Sequence, residues 1–224
     1  CKESIRMQNG RYQVELPWKE AGKSSLGDNF STAMKRLKSN EKSIMKRGTT
    51  EKYQQIIQGY IDKQYVTKVE DGSQERGWYL PHFAVVTHKT RMVMDASSSH
   101  DGVSLNDAMH KGPKLQQSLF NVLLRFRKNP VALVGDVAEM YLQIHIPPQD
   151  QKFHRFLWRD MQENRKPDVY EFNRVVFGVN CSPFLAQLVT QEHAKQFQCH
   201  YPMASEAVLK STYMDDTMDS KEDD

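Results

Sequence analysis

The chain has 224 residues, 38% of them hydrophobic, with 31 Lys+Arg against 28 Asp+Glu for a formal net charge of +3. That length is enough for one large domain or two small ones around a real core, and 10% aromatic residues exclude wholesale disorder. No stretch approaches the roughly 18 apolar residues of a membrane span, so an integral membrane protein is not expected.

Residues 10–18 alternate weakly through Tyr12, Val14 and Leu16 and break at Pro17, which predicts extended chain. Ser31 is placed to cap a helix over residues 32–47, with Met34, Leu37, Ile44 and Met45 on its apolar side and Gly48 as its stop. The basic residues of that helix (Lys35, Arg36, Lys38, Lys42, Lys46, Arg47) are either an ordinary solvated face, the simpler reading, or contacts for phosphates. Thr50 caps a second helix with Tyr53, Ile56, Ile57, Tyr60 and Ile61 at helical spacing. Residues 65–69 read as a short strand and residues 71–72 as a turn. Residues 78–87 and 91–95 read as paired strands, joined tightly through residues 88–90. Residues 97–113 are polar, carry Gly102, Gly112 and Pro113, and read as loop. Residues 115–128 read as a helix with Leu119, Val122, Leu123 and Phe126 on one side.

The texture then changes. Residues 131–134 form a buried-type strand running into Gly135 and Asp136, and residues 153–158 and 170–177 read as two more strands. Ser182 and Pro183 open a helix reaching about residue 198, with proline at its first position, where the missing N–H costs nothing. Residues 207–213 read as a last strand ending at Asp215 and Asp216, and Asp219 and Glu222 onward as a frayed acidic end. Helices with a basic hairpin, followed by strands with one long helix, make an α+β layout: a small lobe on an acidic sheet.

Charge follows that division. Residues 1–130 hold 22 Lys+Arg and 13 Asp+Glu, and residues 131–224 hold 9 and 15. A basic front half suits a polyanion and clustered aspartates suit a divalent metal; uneven surface charge is the bland alternative. Three cysteines (Cys1, Cys181, Cys199) are odd in number and lack CxxC spacing, which predicts reduced intracellular thiols rather than disulfides or zinc. His193, Cys199 and His200 also lack zinc spacing. The chain opens CKESIRM and closes DSKEDD, which reads as a piece of something longer without a visible leader.

Two features carry chemistry. Asp136 ends the apolar run VALVGD, and Asp215 and Asp216 end the run AVLKSTYMDD. Alone, Asp136 is either a site residue or a turn or cap aspartate, and Asp215 with Asp216 reads as a solvated turn. Two such strands side by side bring Asp136 and Asp215 together across 79 residues of sequence. Clustered carboxylates repel unless a cation neutralises them. Mg²⁺ fits, being hard, oxygen-seeking and left with open positions for substrate phosphates. Two such ions can clamp the attacking and leaving oxygens of a phosphoryl displacement.

The segments VALVGDVAEMYLQI, NRVVFGVNCSPFLAQ and STYMDD, in that order, resemble the three palm motifs of retroelement reverse transcriptases. YQVELPWK, LPHFAVV followed by RMVMDASS, VSLNDAMHKGP, HRFLWR and YMDDTMDS extend the resemblance over residues 11–220, to the BEL/Pao class of long-terminal-repeat retrotransposons. The resemblance implies a right-hand polymerase fold: residues 1–130 as N-terminal segment and fingers, residues 131–224 as an antiparallel palm sheet with packed helices, truncated after YMDD and without a thumb. Together they are one reverse transcriptase domain.

It also implies RNA-directed DNA polymerase activity on an RNA template, a DNA primer and dNTPs, with two Mg²⁺ ions (or Mn²⁺). Asp136 and Asp215 are then the metal-binding catalytic aspartates, Asp216 lies beside them, and the Val137 carbonyl helps hold the nucleotide-bound ion. Tyr141 is either a core aromatic or the steric gate, a ring leaving no room for a ribose 2′-OH. Arg91 matches the fingers arginine that reaches the triphosphate. Lys89 is either a second phosphate contact or an exposed hairpin lysine. Phe177 and Gly178, with Ser182 and Pro183, match the motif lining nucleotide and template, and Tyr213 and Met214 face the primer. Phe177 stands where many relatives carry glutamine, so packing replaces a polar contact there, while Gly178 lets backbone approach the base pair. Glu139 points away from the metals. The family setting implies protease, ribonuclease H and integrase segments of the same polyprotein as partners, no membrane, and a cytoplasmic or virus-like-particle location. Competing readings are a decayed element that binds nucleic acid without turnover, a metal-carboxylate nuclease, and an RNA-templated RNA polymerase. Tyr141 and GVNCSP disfavour the last two.

Overall fold

The computed structural model describes residues 2–70, 76–87 and 89–222. The turn expected at residues 71–72 and residue 88, the first of the link expected at 88–90, lie outside them. Strands β1 (Arg6–Gln8) and β2 (Arg11–Gln13) form a hairpin turned by Asn9 and Gly10, both at positive φ. A single turn, α1 (Gly22–Ser25), leads to α2 (Phe30–Lys46) and α3 (Thr50–Asp62). Leu37, Ile44, Tyr53 and Ile57 are buried as their spacing predicts, but Met45 is exposed. The expected Ser31 cap does not form, because α2 already begins at Phe30, whose N–H donates to the Asp28 carboxylate at 3.0 Å. Asn29 brackets Tyr79 instead, donating to its carbonyl at 2.7 Å and accepting from its N–H at 2.8 Å. Thr49, not Thr50, precedes α3.

After β3 (Val66–Lys68), the predicted basic hairpin is present as β4 (His82–Val86) and β5 (Thr90–Met94), with Val85 opposite Arg91. Side chains alternate across its two faces. His82, Ala84, Met92 and Met94 are buried beneath α2 and α3, while Phe83 and Arg91 are exposed on the other face. At the centre of the buried face, His82 Nε2–H donates to the Leu157 carbonyl at 2.9 Å and Nδ1 accepts from the Tyr53 hydroxyl at 2.6 Å. Burial lowers the pKa of His82 to about 4, and does the same to His154. Both histidines are therefore neutral in the fold but take up protons in the unfolded chain below its ordinary value of 6.5. The unfolded state binds more protons between pH 6.5 and 4, so stability is lost as pH falls through that window, by about 1 kcal/mol per pH unit for each histidine. Urea unfolding at pH 7 and pH 5 measures this loss, and His82→Gln makes it smaller.

Beyond α4 (Leu119–Phe126) come β6 (Val131–Asp136), the turn α5 (Pro148–Gln151), β7 (Arg155–Trp158), β8 (Asp168–Phe172), α6 (Ser182–Gln196), α7 (Pro202–Ser211), β9 (Thr212–Tyr213) and β10 (Asp216–Lys221). Two antiparallel three-stranded sheets result, ordered β3-β8-β7 and β6-β10-β9. Phe156, Phe172, Leu185 and Ala186 knit the first sheet and α6 into one core. Against the second sheet pack α4 and α7. The fold is α+β, as expected. No helix among the described residues is long and apolar enough to cross a membrane.

Several elements differ from their sequence reading. The helix expected at residues 115–128 is confined to α4, and of its expected apolar side only Val122 is buried. The apolar run at 131–134 is not a buried strand: Leu133 is 44% and Val134 67% exposed. β6 lies at the edge of its sheet with β10 as its one neighbour there, and residues 132–136 are exposed. Residues 207–211, expected as strand, belong to α7, opened by Pro202 at its first turn and filled with the helix formers Ala204, Ala207, Leu209 and Lys210. Asp219 is not in a frayed end but in β10, opposite Leu133. The strand expected over 170–177 ends at Phe172.

Candidate active site

Asp136 closes β6 and Asp216 opens β10, and the two are directly opposed in the antiparallel ladder. Opposed residues project from the same face of a sheet. The strand beside Asp136 is thus the one that follows the aspartate pair, not the one that precedes it. Asp215 is brought in through the turn: its carbonyl accepts the Val137 N–H at 3.1 Å. Tyr213 pairs with Asp216 across the hairpin, and Met214 turns the chain at φ +59°. Two bonds hold that turn. Gln187 Nε2 donates to the Met214 carbonyl at 2.6 Å, and the Thr212 and Thr217 hydroxyls meet at 2.8 Å. All three aspartates are exposed.

Beside the turn lies a cavity of about 520 Å³ whose wall includes Tyr141, Phe177, Pro183, Gln187, Met214 and Asp215. Tyr141 sits in a single 3-10 turn (Met140–Gln143) with its ring centroid 4.4 Å from that of Phe177. Burial, reinforced by the charge of Asp215, raises the phenol pKa, so Tyr141 presents a neutral ring to the cavity. Glu139 precedes this turn at φ +53°, a left-handed conformation that costs a non-glycine residue energy. It is held there by Lys63 Nζ at 2.6 Å and the Tyr65 hydroxyl at 2.7 Å. Burial acts to raise the Glu139 pKa, but those two bonds outweigh it and leave it lowered. Its carboxylate is committed to Lys63 and Tyr65, away from the aspartates, as expected.

Other expected site residues are placed differently. Gly178 has φ +101°, and a Cβ there would stand 1.8 Å from the Met94 carbonyl oxygen. The glycine is required by close packing on β5, where Met94 N–H donates to the Phe177 carbonyl at 3.3 Å. Ser182 is buried, and its hydroxyl donates to the Val176 carbonyl at 2.7 Å, so it is not open to a template. Pro183 does reach the cavity. Arg91 and Lys89 are exposed on the β4–β5 hairpin, and neither lines the cavity. Burial pushes the Cys181 thiol up to about 12, which leaves it unreactive. His193, Cys199 and His200 lie on the surface, and His193 meets the Tyr12 hydroxyl at 3.0 Å. Gln187, Lys111 and Lys114 line the cavity but were not singled out in sequence. For Gln187 a signal existed: it is a buried polar residue within the apolar run LAQLV.

Among the described residues, no three His, Cys, Asp or Glu side chains converge closely enough to hold an ion by themselves. The donor set is nonetheless one that suits Mg²⁺. It is all carboxylate oxygen and exposed to solvent, and that ion is bound through one or two carboxylates plus substrate phosphates rather than by a closed protein cage. Asp136, Asp215 and Asp216 are the residues that would hold it.

Residues 83–221, well over half of the chain, match the model of the reverse transcriptase (RNA-dependent DNA polymerase) family, whose span takes in both the aspartates and the cavity. The chain belongs to that family. In three dimensions it is similar to a foamy viral protease-reverse transcriptase solved in complex with double-stranded DNA, with a TM-score of 0.57 at 18% identity over 77% of this chain. It spans only 26% of that protein. No curated protein sequence matches it.

Proposed function

We propose that this chain is the fingers and palm part of an RNA-directed DNA polymerase, adding dNTPs to a DNA primer on an RNA template. Residues 1–130 are the N-terminal segment and fingers-like part, and residues 131–224 the palm. The observation that carries this is the register of Asp136 against Asp216, with Asp215 in the joining turn and at the wall of a cavity faced by Tyr141. When bound, two Mg²⁺ ions supply charge neutralisation for the attacking 3′-oxygen and the departing pyrophosphate. The chain's own work is positional. The ladder fixes the aspartates at a sheet end, Gln187 and the threonine pair hold the turn, and Arg91 on the hairpin offers a guanidinium that can fork to a triphosphate. Lys89, exposed on the same hairpin, is a looser candidate for a second phosphate contact. Tyr141 and Phe177 form the floor under the sugar and base, with Pro183, Tyr213 and Met214 toward the primer. The motif set further supports a BEL/Pao-type retrotransposon polyprotein, with protease, ribonuclease H and integrase segments as partners, working in the cytoplasm or in virus-like particles.

Primer extension on an RNA template with dNTPs and Mg²⁺ tests the reading, run on this chain and on one extended past Asp224. Extension by either supports it. Template binding without extension by both favours a remnant that binds without turnover. The gate has its own test. Tyr141→Ala raises ribonucleotide incorporation relative to dNTP by roughly 10- to 100-fold, the scale on which a pocket rejects one added hydroxyl, while Tyr141→Phe keeps the preference. Unchanged selectivity in Tyr141→Ala removes the gate role.

A further inference from the structure

On α2, Lys35, Lys38, Lys42 and Lys46 recur at spacings of three, four and four residues. At 100° per residue they share an arc of roughly 80° and a row about 16 Å long. The arc lies opposite the buried residues Ala33, Leu37, Asn40, Glu41 and Ile44. All four lysines are exposed, and none forms an ion pair with a described residue. The single acidic residue of the helix, Glu41, is buried and bonded to Arg159, so nothing on the row offsets its charge. Like charges three and four residues apart weaken a helix. Other helices of the chain avoid this: Glu206 pairs with Lys210 at 2.6 Å and Glu192 with Lys195 at 2.8 Å. An ordinary solvated face would be expected to look like those.

We infer that the Lys35–Lys38–Lys42–Lys46 row of α2 is a docking surface for the phosphodiester backbone of single-stranded RNA, separate from the catalytic groove. The separation follows from the β4–β5 layer. Its buried face lies beneath α2 and α3, the row points away from it, and Arg91 lies on its other face. The occupant follows from charge complementarity and from what surrounds the row. Ser39 and Ser43 fall between the lysines, and Met45 is the one exposed large apolar residue of the helix. A helix that beds into a membrane surface needs an apolar face beside its cations; a phosphate track does not. Phosphate contacts of this kind position a strand without reading its sequence. The choice of RNA as occupant rests on the polymerase reading.

The test is equilibrium binding of the intact chain to unstructured homopolymer RNA over a salt series, without dNTPs, so that it does not depend on turnover. Replacing all four lysines by glutamine flattens the slope of log K against log salt by about 3, from about 0.7 per phosphate neutralised on a single strand. The loss is the same for different homopolymers. A control replacing Lys128, Lys166, Lys195 and Lys210 removes the same charge elsewhere and changes the slope much less. A slope unchanged in the row variant, or changed equally in the control, overturns the proposal, as does a loss seen only on phosphatidylserine vesicles. If primer extension is absent from every protein while the slope still flattens in the row variant alone, the docking surface stands and the polymerase reading falls.

Discussion

Asp215→Asn lowers primer extension by roughly 10²- to 10³-fold, the scale for losing one preorganised electrostatic contact to the transition state, because it weakens the hold on the cation that would neutralise the reacting oxygens, while template-primer binding stays nearly intact. The change removes one negative charge and no volume. Asp215 is exposed in a turn whose bonds run through backbone: its own carbonyl to the Val137 N–H, and the Met214 carbonyl to Gln187. No folding interaction of its carboxylate is lost, so stability changes by less than about 0.5 kcal/mol. Asp219→Asn is the matched control. It lies four residues further on, within β10, opposite Leu133 rather than opposite an aspartate, and leaves extension unchanged. Equal loss of binding and extension in Asp215→Asn counts against a catalytic role.

Gly178→Ala has the largest effect on folding. Two costs add: a φ of +101°, outside the range L-residues tolerate, and a Cβ set 1.8 Å from the Met94 carbonyl oxygen. The obstruction is backbone, so β5 or the 177–178 segment must shift. Strain of about 1–2 kcal/mol and overpacking of about 1–3 kcal/mol give a loss of about 2–5 kcal/mol. That is a large fraction of the 5–15 kcal/mol of a typical domain. Gly135→Ala provides the comparison, since a Cβ there meets nothing within 4 Å and the residue lies in ordinary extended chain. Urea midpoints decide between them. Gly135→Ala stays within about 1 kcal/mol of the parent, and a Gly178→Ala midpoint equal to it contradicts the packing role.

What the sequence disclosed depended on how far each signal reaches. Helical spacing located α2 and α3 because each buries one stripe against the core, whereas α6, buried on consecutive residues 185–189, was marked by Ser182 and Pro183 at its start. The β4–β5 hairpin was legible because apolar side chains alternate across it. Burial was not legible from an apolar run alone. Val131–Val134 has the composition of an interior strand yet lies at a sheet edge, a fact set by which layers cover it rather than by its own residues. Residues 207–211 carry an apolar stretch too short to outweigh a proline at the helix start and a run of helix formers.

The site shows the same division. The motifs located Asp136, Asp215, Asp216, Tyr141 and Phe177 in sequence, but the register pairing Asp136 with Asp216 rather than with Asp215 is tertiary information. Gly178 and Ser182 were assigned to substrate because they sit in a motif. Their neighbours Met94 and Val176 give both a packing role, and Met94 is 84 residues distant from Gly178. Gln187 carried a readable mark, a polar side chain in an apolar helical run, whose use appears only once the Met214 carbonyl is seen above it.

The most direct measurement is paramagnetic broadening of backbone amide signals by Mn²⁺, standing in for Mg²⁺, with primer-template and a non-reactive dNTP analogue bound. The signals of residues 136–137 and 214–216 are expected to broaden first and together, and Asp136→Asn and Asp215→Asn each to suppress the effect at both segments. Broadening centred on Asp219 and Glu222, or at one aspartate segment and never the other, would contradict this expectation.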